Sequence, residues 1–105
     1  MKIIETPIFT RRLKDILDDE DYRELQNYII ANPYSGKVIS HSSGLRKLRW
    51  SGSGRGKRGG SRIIYYWYSE KEIIFMLLIY PKSVQDDLTN EQLKILKKVL
   101  EEEIK

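Results

Sequence analysis

The chain has 105 residues, 40% of them hydrophobic and 32% charged, with no cysteine and a formal net charge of +4. That length makes a single domain, residues 1–105, with room for one core, and the lack of thiols excludes disulfides, thiolate catalysis and cysteine-based zinc sites. Residues 1–40 carry six Lys/Arg against seven Asp/Glu, 41–62 carry seven against none, and 63–105 carry six against eight; such a concentrated positive segment points to a localised anion site, with a polyanion such as nucleic acid as the partner.

The N-terminal "MKIIETPIF" has one lysine and only a short apolar stretch, unlike a secretory signal, and its "KIIE" can add an edge strand. Thr6-Pro7 offers an N-cap followed by proline at the first helical position, and Phe9, Leu13, Ile16 and Leu17 repeat at helical spacing, so a short amphipathic helix is expected over 7–18. "DDED" at 18–21 interrupts it and supplies the cap and negative first turn of a second helix. Tyr22, Leu25 and Ile29 form the stripe of that helix, and Asn32-Pro33 ends it. So short a connection predicts an αα-hairpin.

From Val38 the pattern turns to strands: Val38–Ser40 and Leu45–Trp50, with His41–Gly44 as the turn, then Arg62–Ser69 and Ile73–Lys82 joined through "SEKE". Ile63, Tyr65 and Trp67 should line one face of their strand, and Arg62, Ile64, Tyr66 and Tyr68 the other. Residues 73–80 are apolar on both faces, as in a central strand covered on both sides, and are too few to span a bilayer. Thr89-x-x-Gln92 is a capping box, with Leu93, Leu96, Leu100 and Ile104 continuing a helical stripe. The expected fold is α+β: a twisted antiparallel sheet of about four strands, an N-terminal helical hairpin and a C-terminal helix, with the helices packed on one side.

Gly54, Gly56 and Gly59 satisfy a dinucleotide-binding spacing, but a β-branched, aromatic strand follows where a helix is required. Arg58 stands where the phosphate-binding loop needs Ser or Thr after Lys57, and a kinase needs far more chain. What remains is a cationic connection between two strands that reaches a phosphate backbone, with a solvated hairpin loop as the alternative.

Cutting RNA without a metal requires a base for the 2′-hydroxyl, stabilisation of the phosphorane and a proton for the 5′-oxygen. His41 is the sole histidine and sits in a turn, where an idle role fits better; the acidic clusters Asp18–Asp21 and Glu101–Glu103 lie at helix ends, where capping explains them. Lys, Arg and Tyr are left. Tyr80 and Lys82 fall on one face of the last strand at i and i+2, and Arg62 begins the neighbouring strand, so all three are expected at one end of the sheet. Adjacent cations should lower the Tyr80 pKa; a core or rim tyrosine is the competing reading. Arg46 and Arg49 suit phosphate binding or cleft structure.

"GLRKLRW", "GRGKRGGSRIIYYW", "IYPK" and "DDLTNEQ" before a closing helix resemble the RelE superfamily of toxins, and most of all its HigB branch. The resemblance covers nearly the whole chain. It implies the toxin half of a bacterial toxin–antitoxin pair, a cytoplasmic protein that enters the ribosomal A site beside 16S rRNA and cuts mRNA to a 2′,3′-cyclic end without a metal. No cofactor or membrane is involved in that activity, and the cognate antitoxin is a further partner. By position it implies Arg62 on the scissile phosphate, Tyr80 and Lys82 completing the catalytic group, and Lys57 as the participating loop residue. Arg55 stays protonated and cannot readily serve as a base; with Arg46, Lys47, Arg49 and Arg58 it is assigned to RNA phosphate. The alternative is a non-catalytic RNA- or ribosome-binding module that blocks translation by occupancy.

Overall fold

The computed structural model describes residues 1–51 and 60–104. Its elements, in chain order, are β1 (Lys2–Glu5), α1 (Pro7–Ile16), α2 (Asp19–Ala31), β2 (Lys37–Val38), β3 (Arg46–Trp50), β4 (Ser61–Tyr68), β5 (Ile73–Pro81) and α3 (Asn90–Glu103). The sheet order is β1-β5-β4-β3-β2. All pairings are antiparallel except β1 with β5, where Lys2 lies beside Ile73 and Glu5 beside Met76. The α+β architecture is as expected, with "KIIE" raising the sheet to five strands among the described residues. A parallel neighbour for β5 follows from chain direction, since β1 runs into α1 and α1 crosses over the sheet.

The helices do not share one side of the sheet as the sequence suggested. Phe9, Leu17, Leu25 and Ile29 from the α1–α2 region pack with Leu48, Ile63, Tyr65, Ile74, Met76 and Ile79. On the opposite face, Leu96 and Leu100 of α3 pack with Leu45, Ile64, Phe75, Leu77, Leu78 and Tyr80. β5 is apolar on both faces and needs a cover on each, and α3 is the element left to provide the second. Fully burying a side chain of this kind contributes about 1.5–3 kcal/mol, so both layers matter to stability.

Local signals explain the ends of the elements. The Thr6 hydroxyl accepts from the Phe9 N–H at 3.1 Å, and Asp18 caps α2 by accepting from the Asp21 N–H at 2.8 Å. The Thr89–Gln92 capping box is formed in both directions. In the β2–β3 turn, the buried Ser42 hydroxyl donates to the Ile39 carbonyl and accepts from the Leu45 N–H, while His41, Ser43 and Gly44 all have positive φ. This tight turn shortens β2 to Lys37–Val38, against the expected 38–40.

The pairing of β4 with β5 contains a bulge. Tyr65 faces Met76 and Ile64 faces Leu78, so Leu77 has no partner of its own in the register. Its carbonyl instead accepts from the Thr6 hydroxyl at 2.8 Å, which ties the bulge to the start of α1. An extra residue reverses the alternation beyond it: Phe75, Leu77, Leu78 and Tyr80 all contribute to the α3 side. No helix among the described residues is long and apolar enough to cross a membrane.

Candidate active site

The bulge determines which side chains meet at the end of the sheet. Beyond it Arg62 lies directly opposite Tyr80, and on the other flank of β4 Arg49 lies directly opposite Arg62. Directly paired residues project from the same face, so Arg49, Arg62 and Tyr80 form one row across β3, β4 and β5. Lys47, two residues before Arg49, adds a second cation on that face. The start of β4 is set by Gly60, whose φ of +64° suits glycine, and where a Cβ would come within 2.3 Å of the Trp50 carbonyl oxygen. The Gly60 carbonyl accepts from the Lys82 N–H at 3.1 Å, holding the end of β5 against the start of β4.

Two acids close over this row. Arg62 is only 5% exposed, and its Nε donates to the Asp86 carboxylate at 2.8 Å. The Tyr80 hydroxyl donates to the Asp86 carbonyl at 3.1 Å. Lys47 forms an ion pair with Asp87 and donates to the Asp86 carbonyl at 3.4 Å. The turn is joined to α3 through Gln85, whose amide donates to the Asp87 carbonyl at 2.9 Å and to Gln92 at 2.8 Å. A strand end, a turn and a helix cap therefore form one connected polar network.

The electrostatics follow from this arrangement. The hydrogen bond from Arg62 holds the Asp86 carboxyl below the usual carboxylate value; burial opposes it, and the charges of Lys47, Arg62 and Arg49 add to the lowering. Tyr80 departs from the sequence expectation. Burial pushes its pKa up to about 12, the negative charges of Asp87 and Asp86 push the same way, and Arg62 opposes them. The tyrosine is a neutral donor at physiological pH, and its phenolate is not favoured.

The structure thus brings Arg62, Tyr80, Lys47 and Arg49 together. Lys82 is exposed in the turn just past β5, adjacent through its backbone. Arg46 is directed to the other face: its Nη1 donates to the Gly36 carbonyl at 2.8 Å and the Tyr34 carbonyl at 3.2 Å, with the guanidinium 5.1 Å from the Tyr34 ring centroid. Its contacts fasten residues 34–36 to the sheet, which is a structural role. Lys57, Arg55 and Arg58 lie outside the described residues. Sequence reasoning missed Asp86 and Asp87 as members of the site, although they are the only acids between Ile73 and Asn90. Their position just after "YPK" was the available signal. Among the described residues, no group of three or more His, Asp or Glu side chains is arranged to hold a metal ion.

Comparison with known proteins agrees with this architecture. A free-state structure of E. coli toxin RelE, in a form with two arginines replaced by alanine, is similar with a TM-score of 0.56. The identity is 11%, over 79% of this chain and 84% of that one, so the likeness concerns the fold. Residues 1–104 match the family described as the RelE toxin of the RelE/RelB toxin–antitoxin system. With that match spanning nearly its whole length, the chain belongs to the RelE toxin family.

Proposed function

We propose that this toxin is a ribosome-dependent mRNA endonuclease of the HigB branch, acting in the cytoplasm and held in check by a cognate antitoxin. The observation that carries the reading is the Arg49–Arg62–Tyr80 row, in which a buried guanidinium already grips an anionic oxygen at 2.8 Å. A carboxylate there stands in for a phosphoryl oxygen, because both accept charge-assisted hydrogen bonds from arginine.

In the reaction, the 2′-hydroxyl gives its proton to a base as its oxygen forms a bond to phosphorus, the bond from phosphorus to the 5′-oxygen breaks, and the 5′-oxygen takes a proton from an acid. Arg62 neutralises the charge that builds on the phosphorane. Tyr80, protonated with a pKa of about 12, suits donation to a phosphoryl or leaving oxygen. A phosphate bound in place of Asp86 is also anionic, so it favours the same protonated state. Lys82 and Lys57 are the remaining proton-transfer candidates. Arg49 and Lys47, with Arg55 and Arg58 of the loop, hold the flanking backbone.

Tyr, Lys and Arg all have reference pKa values well above 7, so they stabilise charge better than they start proton transfer. The missing rate then comes from alignment, and well-oriented groups supply roughly 7–11 kcal/mol. mRNA held in the ribosomal A site provides that alignment, whereas free RNA seldom adopts it. The test is cleavage of a programmed ribosome against the same message free in solution. Efficient cutting is expected only on the ribosome, and equal rates would refute the mechanism. Arg62→Ala separates an enzyme from a blocker: an enzyme loses cleavage with ribosome binding largely kept, and a blocker loses affinity alone.

A further inference from the structure

Beside the Arg62–Tyr80 pair, a cleft of about 600 Å³ opens along β2 and β3, with Ser35, Lys37, Val38, Lys47, Arg49 and Asp87 among its walls. Lys37 lies directly opposite Lys47 in the β2–β3 register. Two like charges in that relation destabilise a strand pair, and here the pair joins a two-residue edge strand to the sheet. The nearby carboxylates are Asp87, which is already engaged by Lys47 and has a side chain 80% exposed, and Asp86, which is held by Arg62. Lys37 and Arg49 make no ion pair among the described residues. Lys37, Lys47, Arg49 and Arg62 thus stand against the two carboxylates of Asp86 and Asp87, leaving an excess of positive charge along a concave site.

Arg49 is shared with the row already described, since it lines the cleft and faces Arg62 across β3–β4. The cleft is therefore continuous with the candidate active site, displaced from it by about 5 Å for each strand step. Val38, half exposed, supplies apolar wall and Ser35 a hydroxyl. A chain with regularly spaced anions, flat apolar groups and hydroxyls matches such a surface.

We propose that this cleft is a second phosphate position, where Lys37, Lys47 and Arg49 hold the RNA backbone next to the phosphate gripped by Arg62. This rests on the nuclease reading for its RNA partner, and it adds Lys37 to the binding surface. The two positions act as a ruler: the second fixes the strand, and the first receives the phosphate to be cut. Because the contact is the same before and during the reaction, Lys37 contributes to binding without altering the chemical step.

The test uses an uncleavable 2′-O-methyl octanucleotide, with binding followed by fluorescence anisotropy from low to moderate salt. Lys37→Ala should weaken binding several-fold and reduce the slope of log affinity against log salt by about 0.7, the value for one lost contact on a single strand. Lys37→Arg should restore the slope. Lys71→Ala, which removes an exposed charge from the β4–β5 turn at the other end of the sheet, should leave it unchanged. On programmed ribosomes Lys37→Ala should raise KM and spare kcat. Equal behaviour of the Lys37 and Lys71 variants overturns the subsite, as does failure of the wild type to bind the oligonucleotide at low salt. An acidic peptide that binds with Lys37 dependence while the oligonucleotide does not also overturns it in favour of a protein partner. A wild type that cuts no message on ribosomes refutes the nuclease reading, whereas the salt slope still decides the phosphate position.

Discussion

On the α1–α2 face, the sheet buries Ile63, Tyr65, Ile74, Met76 and Ile79 beneath Phe9, Leu25 and Ile29. On the α3 face the same strands are treated in two ways. Leu96 and Leu100 cover the part that carries Ile64, Phe75 and Leu78, whereas Lys37, Lys47, Arg49 and Arg62 occupy the remainder beside a turn bearing Asp86 and Asp87. β4 serves both purposes within a few residues, since Ile63 enters one core and its neighbour Arg62 enters the candidate site. A doubly covered β5 forms the base of the site, while Lys47 and Arg62 stand beside the turn that carries Asp86 and Asp87. The comparison separates a closed face that supplies stability from a half-open, cationic one to which the proposed function assigns recognition.

That division predicts separate consequences for the two faces. The largest expected effect is on the closed one. Phe9→Ala removes a fully buried ring from the α1–α2 core and should cost about 3–5 kcal/mol in chemical denaturation. Protein that remains folded should keep the Arg62–Asp86 arrangement, and a selective loss of activity in folded protein would break the comparison.

Arg62→Ala, on the half-open face, should lower the rate of message cleavage on ribosomes by about 10²–10³, the usual cost of one donor to a developing anion. The melting temperature should move far less than for Phe9→Ala, since the Asp86 carboxylate left behind is 46% exposed. Tyr80→Phe should cost about 10² in the chemical step while keeping the packing of the ring. With a pKa of about 12, its hydroxyl should show no ionisation near neutral pH, so tyrosinate absorbance lost in the variant should belong to the alkaline end of a titration. A Tyr80-dependent change in rate between pH 7 and 9 would contradict the neutral-donor role.

The smallest effect concerns the acidic turn. Asp86→Asn should remove the carboxylate that competes with phosphate at Arg62 and tighten binding of an uncleavable oligonucleotide by a few-fold. The folded-state pKa of Asp86 is depressed, so its pairing stabilises the fold above the ordinary carboxylate pKa near 4. That contribution fades as pH falls through the lowered value. Thermal unfolding between pH 2 and 5 should therefore show a slightly weaker acid dependence in Asp86→Asn than in the wild type. Unchanged oligonucleotide affinity would show that the carboxylate does not compete with phosphate for Arg62.

Much of this molecule could be read from local order in the chain. Thr6, Asp18 and Thr89 act through groups two or three residues away, so the helix starts are contained in short segments. Two-residue alternation likewise divided β4 correctly between its faces, and the apolar run at 73–80 implied a strand covered twice. The localised positive charge needed only composition. The tertiary structure decided what depends on register and on distant partners. Leu77 bulges out where Thr6, 71 residues away, satisfies its carbonyl, and this reverses the alternation so that Tyr80 faces Arg62. Arg46 and Arg49 look equivalent in "RKLRW", yet an odd spacing sends them to opposite faces, and only the pairing with β4 shows which one meets Arg62. The Tyr80 pKa was misjudged for the same reason. Nearby cations were visible in the sequence, but burial and the carboxylates of Asp86 and Asp87 come from packing β5 beneath α3 and folding the turn back over the sheet.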